Sequence, residues 1–264
     1  MTRRWRGLRA SQGAISEAWL VLTAVQFLTR LPVPDPGWEA GRMRRASRYF
    51  GLVGLLVGTL QGLALLAAAA VLPLAAAAGI AIAVGLIVTG ALHEDGLADC
   101  ADALGAGADR PRALDIMRDS RLGSYGVLTL ILTIGLRWAA LAALTPELGA
   151  LALTLGAAAG RGLMVPATAL APYARETGLG GEMGRGAGRL EIYLALAPGA
   201  LAAALTGLAG LAALIAAAGV AGFVCWRLVR WLGGYTGDGL GAIAALSETA
   251  VLLAIAMASE GGWI

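Results

Sequence analysis

Three aspartates follow the second strongly apolar stretch of the chain, at the point where hydrophobicity ends. Asp95, Asp99 and Asp102 are spaced at i, i+4 and i+7, which places all three on one face of a helix. Their mutual repulsion is unfavourable unless a cation lies among them. Mg²⁺ is usually held by one or two carboxylates together with substrate phosphates, so the pattern predicts a Mg²⁺ site that takes a phosphorylated ligand. A solvated acidic face is the alternative, and the adjacent apolar stretch disfavours it.

A second polar group, residues 117–126, leads into the third apolar stretch. Arg118 and Arg121 stand three apart, and on one helical face they would form a fork for anionic oxygens. Arginines at a membrane boundary also serve topology, but the neighbouring aspartates favour phosphate binding here. Asp119 lies between the two arginines and is a candidate to orient or deprotonate a substrate hydroxyl.

His93 is the only histidine of the chain and precedes Asp95 by two residues. A lone histidine at a helix end is often structural, yet this position also suits a base or a substrate contact. Near the last apolar stretch, Thr236 and Asp238 alternate with glycines. Asp238 either caps that helix or makes a second metal or substrate contact.

Residues 172–190 form a glycine-rich segment that carries Tyr173 and Arg175. Six glycines lie between Gly178 and Gly188, so backbone amides could approach an anion closely. The segment has no lysine of the kind that a P-loop requires, and glycine-rich linkers are common. On its own it is a weak indication of phosphate binding.

Composition indicates what must position these residues. Hydrophobic residues make up 58% of the 264 residues, charged residues 14%, and the mean hydropathy is +0.75. A typical soluble domain has about 45–50% apolar and about 25% charged residues. We therefore expect an all-α, polytopic integral membrane bundle forming a single domain over residues 1–264, with about seven transmembrane helices and short cytoplasmic loop helices. The predicted spans are residues 51–71, 74–92, 124–144, 148–170, 191–210, 212–232 and 240–258.

The connections between these spans alternate between short, nearly uncharged turns and long, arginine-bearing segments. The charged ones are residues 29–50, 93–123, 172–190 and 233–239. By the positive-inside rule they face the cytoplasm, which predicts a multi-pass protein of the cell (inner) membrane with a cytoplasmic active face. The segment 14–31 is too short and too interrupted to span, so it either lies in the interface or re-enters the membrane. Trp38, Trp226 and Trp231 are expected to anchor the interface.

Other features of the composition exclude some classes of function. The net charge is +3, and all 20 basic residues are arginines, but no arginine run is interleaved with aromatics as a nucleic-acid groove requires. We therefore expect the lipid bilayer, and no nucleic acid, as a partner. Cys100 and Cys225 lie far apart in or beside apolar helices, and neither a disulfide framework nor a thiolate metal site is supported. A homo-oligomer is compatible with the sequence.

Taken together, the motifs resemble the cobalamin synthase family, the adenosylcobinamide-GDP ribazoletransferases, over almost the whole chain. Two departures are visible: Ala103 where the family often has glycine, and Ala245 where glutamate is expected before Leu246-Ser247-Glu248. Six ordered matches are more specific than any one of them. They are Phe27-Leu28-Thr29-Arg30-Leu31-Pro32-Val33-Pro34, the glycine-rich residues 50–58, His93-Glu94-Asp95-Gly96-Leu97-Ala98-Asp99, Met117-Arg118-Asp119-Ser120-Arg121-Leu122-Gly123, Tyr173-Ala174-Arg175 with Gly178-Leu179-Gly180, and Thr236-Gly237-Asp238.

The resemblance implies a Mg²⁺-dependent transferase whose substrates are adenosylcobinamide-GDP and α-ribazole or its 5′-phosphate. The products would be adenosylcobalamin or its 5′-phosphate, and GMP. Our hypothesis combines this implication with the residues already described. The metal ligands would be Asp95, Asp99 and Asp102; the substrate-binding residues Arg118, Arg121, Tyr173, Arg175 and Thr236; and the candidates to orient or deprotonate the ribazole hydroxyl His93, Asp119 and Asp238.

Two other interpretations of the charged residues stay open at the level of sequence. CDP-alcohol phosphotransferases and intramembrane prenyltransferases also place aspartate clusters at helix ends to bind a metal and a diphosphate, although residues 117–123 and 236–238 argue against both. A transporter is a different class, but its ionisable residues should lie near the middle of the bilayer. Here they lie at the ends of the predicted spans, on one side.

Overall fold

The computed structural model describes residues 16–35, 37, 39–175 and 186–262, which form helices and connecting turns. Within these ranges the only β-structure is an isolated bridge between Tyr173 and Tyr235. The helices are α1 Glu17–Leu28, α2 Arg42–Ala46, α3 Phe50–Ala69, α4 Leu74–Thr89, α5 Leu92–Gly105, α6 Arg110–Ile116, α7 Ser124–Ala142, α8 Pro146–Leu170, α9 Arg189–Leu205, α10 Gly207–Leu232 and α11 Gly237–Glu260. A 3₁₀ turn at Ser47–Tyr49 joins α2 to α3.

Five described helices are long and apolar enough to cross a membrane, namely Arg42–Ala69, α7, α8, α10 and α11. The pair α4 and α5 passes the same criterion only when its two helices are taken together, and it is bent by 89°. All seven predicted stretches are helical, so the all-α membrane bundle is confirmed, but only five or six qualify as spans. The fifth predicted stretch, residues 191–210, corresponds to α9, which has 17 residues and is not among these spans. The short apolar helix α1 lies within the segment that the sequence left unplaced.

The break between α4 and α5 explains why the second predicted span ends before residue 92. Gly90 and Ala91 both adopt left-handed backbone conformations, with φ of 65° and 56°. Glycine tolerates this conformation and most other residues do not. A side chain at Gly90 would also overlap Arg30, which packs over the turn. The chain therefore turns sharply here, and α5 leaves the direction of α4.

Close packing of small residues holds the centre of the bundle together. In the apolar 18-residue stretch of each membrane helix, 72% of α8 is buried inside the bundle, against 28% of α7 and 33% of α10. A Cβ at Gly160 would lie 2.6 Å from the Ala244 carbonyl oxygen, and one at Gly162 would lie 2.5 Å from that of Ala195. Glycines at such crossings let helix backbones approach closely, which is how helices associate in lipid. α8 is thus the central helix, while α7 and α10 are more peripheral.

Backbone and side-chain contacts bring the predicted charged connections together at one end of the bundle. The backbone N–H of Arg30 donates to the Val88 carbonyl oxygen over 2.7 Å. The segment before α3 meets the start of α9 through a 2.9 Å ion pair between Arg48 and Glu191. Arg110 of α6 donates to the Ala174 carbonyl oxygen in the segment after α8. In the same segment, Arg175 forms an ion pair with Asp238 at the start of α11.

Candidate active site

A cavity of about 450 Å³ opens at this charged end, between α5, the segment before α7 and the start of α11. We call it the acidic cavity. Of the predicted site residues, it brings together Asp95, Asp99, Arg118, Asp119 and Asp238. Its remaining lining residues are Ala91, Glu94, Ala98, Met117, Ser120, Leu122 and Leu130.

Three carboxylates of the predicted site, those of Asp95, Asp99 and Asp238, line the acidic cavity. Asp95 is exposed, and Asp99 and Asp238 are half-buried. In α5, which lies outside the five spans, burial raises the pKa of Asp99 to about 7, and the charges of Asp95, Asp238 and Asp102 add to this rise. A bound cation would relieve that repulsion. Among the described residues, no three His, Cys, Asp or Glu side chains lie close enough together to hold a metal ion by themselves. A Mg²⁺ ion bound here would therefore depend on one or two carboxylates, with waters and substrate phosphates completing its shell.

Asp102 lies on α5 as predicted, but its carboxylate turns to the start of α7 instead of lining the acidic cavity. One oxygen accepts the backbone N–H of Gly123 over 2.7 Å, and the other accepts that of Gly126 over 2.8 Å. The first N–H groups of a helix have no partners within it, and this carboxylate accepts two such groups at the start of α7. Its negative charge also interacts favourably with the positive end of the helix dipole. The structure therefore gives Asp102 a role at the junction of α5 and α7.

The predicted arginine fork is not present, because residues 117–123 are not helical. Arg118 lines the acidic cavity. Arg121 does not, and its side chain is 88% exposed and paired with Asp119. Hydrogen bonds from the Arg121 side chain and backbone lower the pKa of Asp119 to about 2. Asp119 is thus an ionised carboxylate at the edge of the cavity, and the prediction of two arginines on one helical face is wrong.

A short backbone pairing brings the segment after α8 against the start of α11. Tyr173 and Tyr235 form the isolated bridge, with ring centroids 5.4 Å apart, and the Ala174 N–H donates to the Tyr235 carbonyl over 2.8 Å. This pairing places Arg175 beside Asp238, and their side chains form a 2.6 Å ion pair. Gly178, Gly180 and Trp38, which the sequence also singled out, lie outside the described residues.

The start of α11 separates the two interpretations of its polar residues. Thr236 is buried and caps the helix, with its hydroxyl accepting the Gly239 N–H over 3.0 Å. Asp238 instead lines the acidic cavity. Thr236 is not among the residues that line the acidic cavity, so its structural role is the cap. Of the residues at this helix start, Asp238 is the one placed to meet a ligand.

His93 lies close to the acidic cavity in sequence but not among the residues that line it. It is 3% exposed, and its Nε2 atom makes no hydrogen bond within the described part of the chain. A general base must come within hydrogen-bond reach of the proton it abstracts. Asp119 and Asp238 meet that requirement better than His93 in this structure.

A buried ionic network beneath the cavity includes residues that the sequence reasoning passed over. Arg137 of α7 donates to Glu94 over 2.8 Å and to Thr249 over 2.8 Å. Glu248 of α11 lies 3.7 Å from Arg137 and 3.3 Å from Arg161 of α8. The available signal was a charge inside an apolar span, which is rare and functional by default. Glu94 belongs to this network and also lines the cavity, so it joins the two.

Fold and site together define a multi-pass membrane protein whose helical bundle carries a carboxylate-rich cavity at one end. A family model described as cobalamin-5-phosphate synthase matches residues 20–256. The chain belongs to this family, and the resemblance inferred from the motifs is confirmed.

Curated relatives cover nearly the whole chain. A protein of Rhizobium etli (strain CIAT 652) is 43% identical over 89% of this chain and 95% of its own length. A Bradyrhizobium diazoefficiens protein is 43% identical over 90% and 93%, and a Shewanella pealeana protein is 38% identical over 88% and 94%. All three are named adenosylcobinamide-GDP ribazoletransferase. No solved structure matches the chain.

Proposed function

We propose that this protein is an adenosylcobinamide-GDP ribazoletransferase. It joins adenosylcobinamide-GDP to α-ribazole or α-ribazole 5′-phosphate and releases GMP, a late step in cobalamin synthesis. The observation that carries the proposal is the acidic cavity, in which Asp95, Asp99 and Asp238 lie with Arg118. Carboxylates for a metal and a guanidinium for phosphate oxygens are what a diphosphate substrate requires. The names of relatives at 43% identity support the choice of substrates.

The reaction exchanges one phosphorus–oxygen bond for another. A ribazole oxygen attacks the corrinoid-side phosphorus, and the bond to the GMP phosphate breaks. Negative charge on both phosphates must be neutralised, which is a task of positioning and electrostatics. Asp95 and Asp99 would hold Mg²⁺, which when bound would supply neutralisation of the negative charge on the diphosphate.

The protein's own side chains have distinct tasks in this scheme. Arg118 binds phosphate oxygens, while Asp119 or Asp238 orients the attacking hydroxyl and accepts its proton. Arg175 pairs with Asp238 and so holds that carboxylate toward the cavity. Tyr173 supports this arrangement through its bridge to Tyr235. In this scheme His93, Arg121 and Thr236 do not contact substrate.

The location of the cavity in the cell is part of the proposal. The segments around it carry most of the arginines that flank the spans, and such residues are retained on the cytoplasmic side. We place the protein in the inner membrane with the acidic cavity facing the cytoplasm. The formation of a homo-oligomer stays a prediction.

The test is GMP release by the purified, detergent-solubilised protein given adenosylcobinamide-GDP, α-ribazole and Mg²⁺, with EDTA in a parallel reaction. We expect metal-dependent release together with a new cobalamin product. Asp95→Asn and Asp99→Asn should each lower turnover on the order of 100-fold or more, because each removes a metal ligand. Glu147→Gln is the matched control. Glu147 is an exposed carboxylate in the first turn of α8, whereas the segment that contacts Asp238 follows the last turn of α8.

Two outcomes would contradict the proposal at different levels. Near wild-type turnover in Asp95→Asn or Asp99→Asn would refute the metal site. Nucleotide release from a CDP-lipid, or diphosphate release from a prenyl diphosphate, without any reaction of the corrinoid would indicate another membrane transferase. Ion flux in reconstituted vesicles without corrinoid would indicate a transporter, although the cavity lies at one end of the bundle and not at its centre.

A further inference from the structure

A second cavity of about 450 Å³ lies next to the acidic cavity, with Arg118 in the lining of both. We call it the arginine cavity. Arg110, Arg118 and Arg175 contribute three positive charges to it, and Asp115 contributes one negative charge. Pro111, Leu114 and Ala174 complete its lining. Because Arg175 pairs with Asp238 and Arg118 lies near Asp115, the arginine cavity is weakly positive and partly apolar, and it adjoins a carboxylate-rich cavity.

The three arginines are positioned by separate elements, and each guanidinium has more N–H donors than its contacts given below use. Arg110 donates one N–H to the Ala174 carbonyl over 3.2 Å. Arg118 forms a long 3.7 Å ion pair with the exposed Asp115. Arg175 pairs with Asp238 through one terminal nitrogen, and its Nε atom is buried with no hydrogen-bond partner in the described residues. A guanidinium has five N–H donors, so the three arginines together can still donate hydrogen bonds to several anionic oxygens.

The helix that carries Arg110 is fixed to the bundle. Trp231 of α10 donates its indole N–H to the Ala108 carbonyl over 3.0 Å, just before α6. Asp109 caps α6 by accepting the Arg112 backbone N–H. The Arg110 guanidinium lies 3.9 Å from where a Cβ would stand at Gly233, the residue that ends α10. The backbone that carries Arg110 is therefore held in place, while the Arg110 and Arg118 side chains themselves are exposed at the mouth of the arginine cavity.

Resting on the proposed function, we propose that the arginine cavity binds the phosphate monoester of a ribonucleotide. The reaction offers two such groups, the departing GMP and α-ribazole 5′-phosphate. The volume falls within the range of about 300–1,000 Å³ typical of small-molecule pockets, and a corrinoid ring is far larger than a nucleotide. Guanidinium groups bind phosphate bidentately and stack on aromatic bases. Since Arg118 lines both cavities, a phosphate held here lies next to the diphosphate in the acidic cavity.

The test uses Arg110→Gln, because Arg110 lines only the arginine cavity. Arg112→Gln is the matched control: Arg112 lies on the same helix and is exposed, and it lines neither cavity. Arg110→Lys keeps the charge but not the planar fork. For each purified protein, GMP and inorganic phosphate binding are measured by equilibrium dialysis without corrinoid. The KM is then measured for α-ribazole and for α-ribazole 5′-phosphate in turnover.

Loss of a charged hydrogen bond to phosphate should weaken binding about tenfold or more. Tenfold weaker GMP binding in Arg110→Gln, with Arg112→Gln unchanged and Arg110→Lys intermediate, identifies the departing nucleotide. A tenfold rise in KM for α-ribazole 5′-phosphate but not for α-ribazole identifies the nucleophile's phosphate. The ratio of the KM for α-ribazole 5′-phosphate to the KM for α-ribazole is measured in one preparation, so a loss of folded protein does not change it.

Equal effects of Arg110→Gln and Arg112→Gln on every ligand would overturn the assignment. Failure of the proposed function has a different signature. Arg110-dependent binding of GMP in a protein that never turns over corrinoid would retain the arginine cavity and reject the ribazoletransferase activity. If the protein turns over corrinoid but neither GMP binding nor either KM value changes in Arg110→Gln, the ribazoletransferase activity is retained and the assignment of the arginine cavity is rejected.

Discussion

The ion pair between Arg137 and Glu94 offers the sharpest test of how the bundle supports its site. Arg137 is 3% exposed and uses all three guanidinium nitrogens. They donate to Glu94, to the Thr249 hydroxyl and to the Ala245 carbonyl over distances of 2.7 to 2.8 Å. Arg137→Met keeps an unbranched side chain of similar reach and removes these bonds. Glu94, itself 7% exposed, would then be a buried carboxylate without its cation.

The size of the effect follows from that burial. Removing one partner of a buried ion pair destabilises a protein by about 3–5 kcal/mol, because the other charge stays in a medium of low dielectric constant. Removing both charges is much less harmful, and an apolar replacement of similar volume is often nearly neutral. The double variant Glu94→Met with Arg137→Met should therefore recover most of the lost stability. Glu248 keeps Arg161 at 3.3 Å in both variants.

The assay is SDS-induced unfolding in mixed micelles, with the free energy of unfolding extrapolated to zero SDS. Arg227→Met is the matched control, since Arg227 is an exposed arginine on the membrane helix α10, and a change within about 0.5 kcal/mol is expected there. A loss below about 1 kcal/mol in Arg137→Met, as for surface ion pairs, would show that the pair is not buried. A double variant as unstable as Arg137→Met would refute the reasoning from the uncompensated charge.

Four further substitutions test the junctions around the site and the packing of the bundle. Asp102→Ala removes the acceptor of two backbone amides at the start of α7 and should lower unfolding free energy by about 1–3 kcal/mol, measured in the same SDS titration. Gly96→Ala places a Cβ 2.8 Å from the Asp238 backbone, so it should weaken activation by Mg²⁺, measured as the metal concentration for half-maximal GMP release. Gly54→Ala forces α3 from α8 and should cost about 1–3 kcal/mol, whereas Gly135→Ala, with nothing within 4 Å, should be neutral or stabilising. Equal effects at Gly54 and Gly135 would contradict the packing argument.

The helices were predictable because lipid leaves the backbone little choice. A segment in hydrocarbon must satisfy its own N–H and C=O groups, so each long apolar stretch becomes a helix. The ends of the helices were less predictable. Hydrophobicity continues through Ala91 and Leu92, and hydropathy alone does not show the left-handed turn at Gly90 and Ala91. That turn depends on backbone conformation and on Arg30 packing over it.

The site was predictable where side-chain spacing alone decided the geometry. The i, i+4 spacing of Asp95 and Asp99 correctly placed both on α5, facing one cavity. It failed for the arginines, because local hydrogen bonds compete with the helix. The Asp119 carboxylate accepts the Arg121 backbone N–H over 3.0 Å, a local contact that favours a turn. Asp102 shows a similar limit, since its partners lie on another helix, which sequence spacing does not reveal.

Glu94 and Asp95 show how the buried network and the site depend on each other. These neighbours on α5 have different environments: Glu94 is 7% exposed and pairs with Arg137, whereas Asp95 is exposed in the acidic cavity. Because successive residues on a helix point about 100° apart, fixing Glu94 toward α7 also fixes the direction of Asp95. The buried pair therefore sets the rotation of α5 as well as its stability. On this argument Arg137→Met should also raise the Mg²⁺ requirement of the folded fraction, which titrations of GMP release can measure.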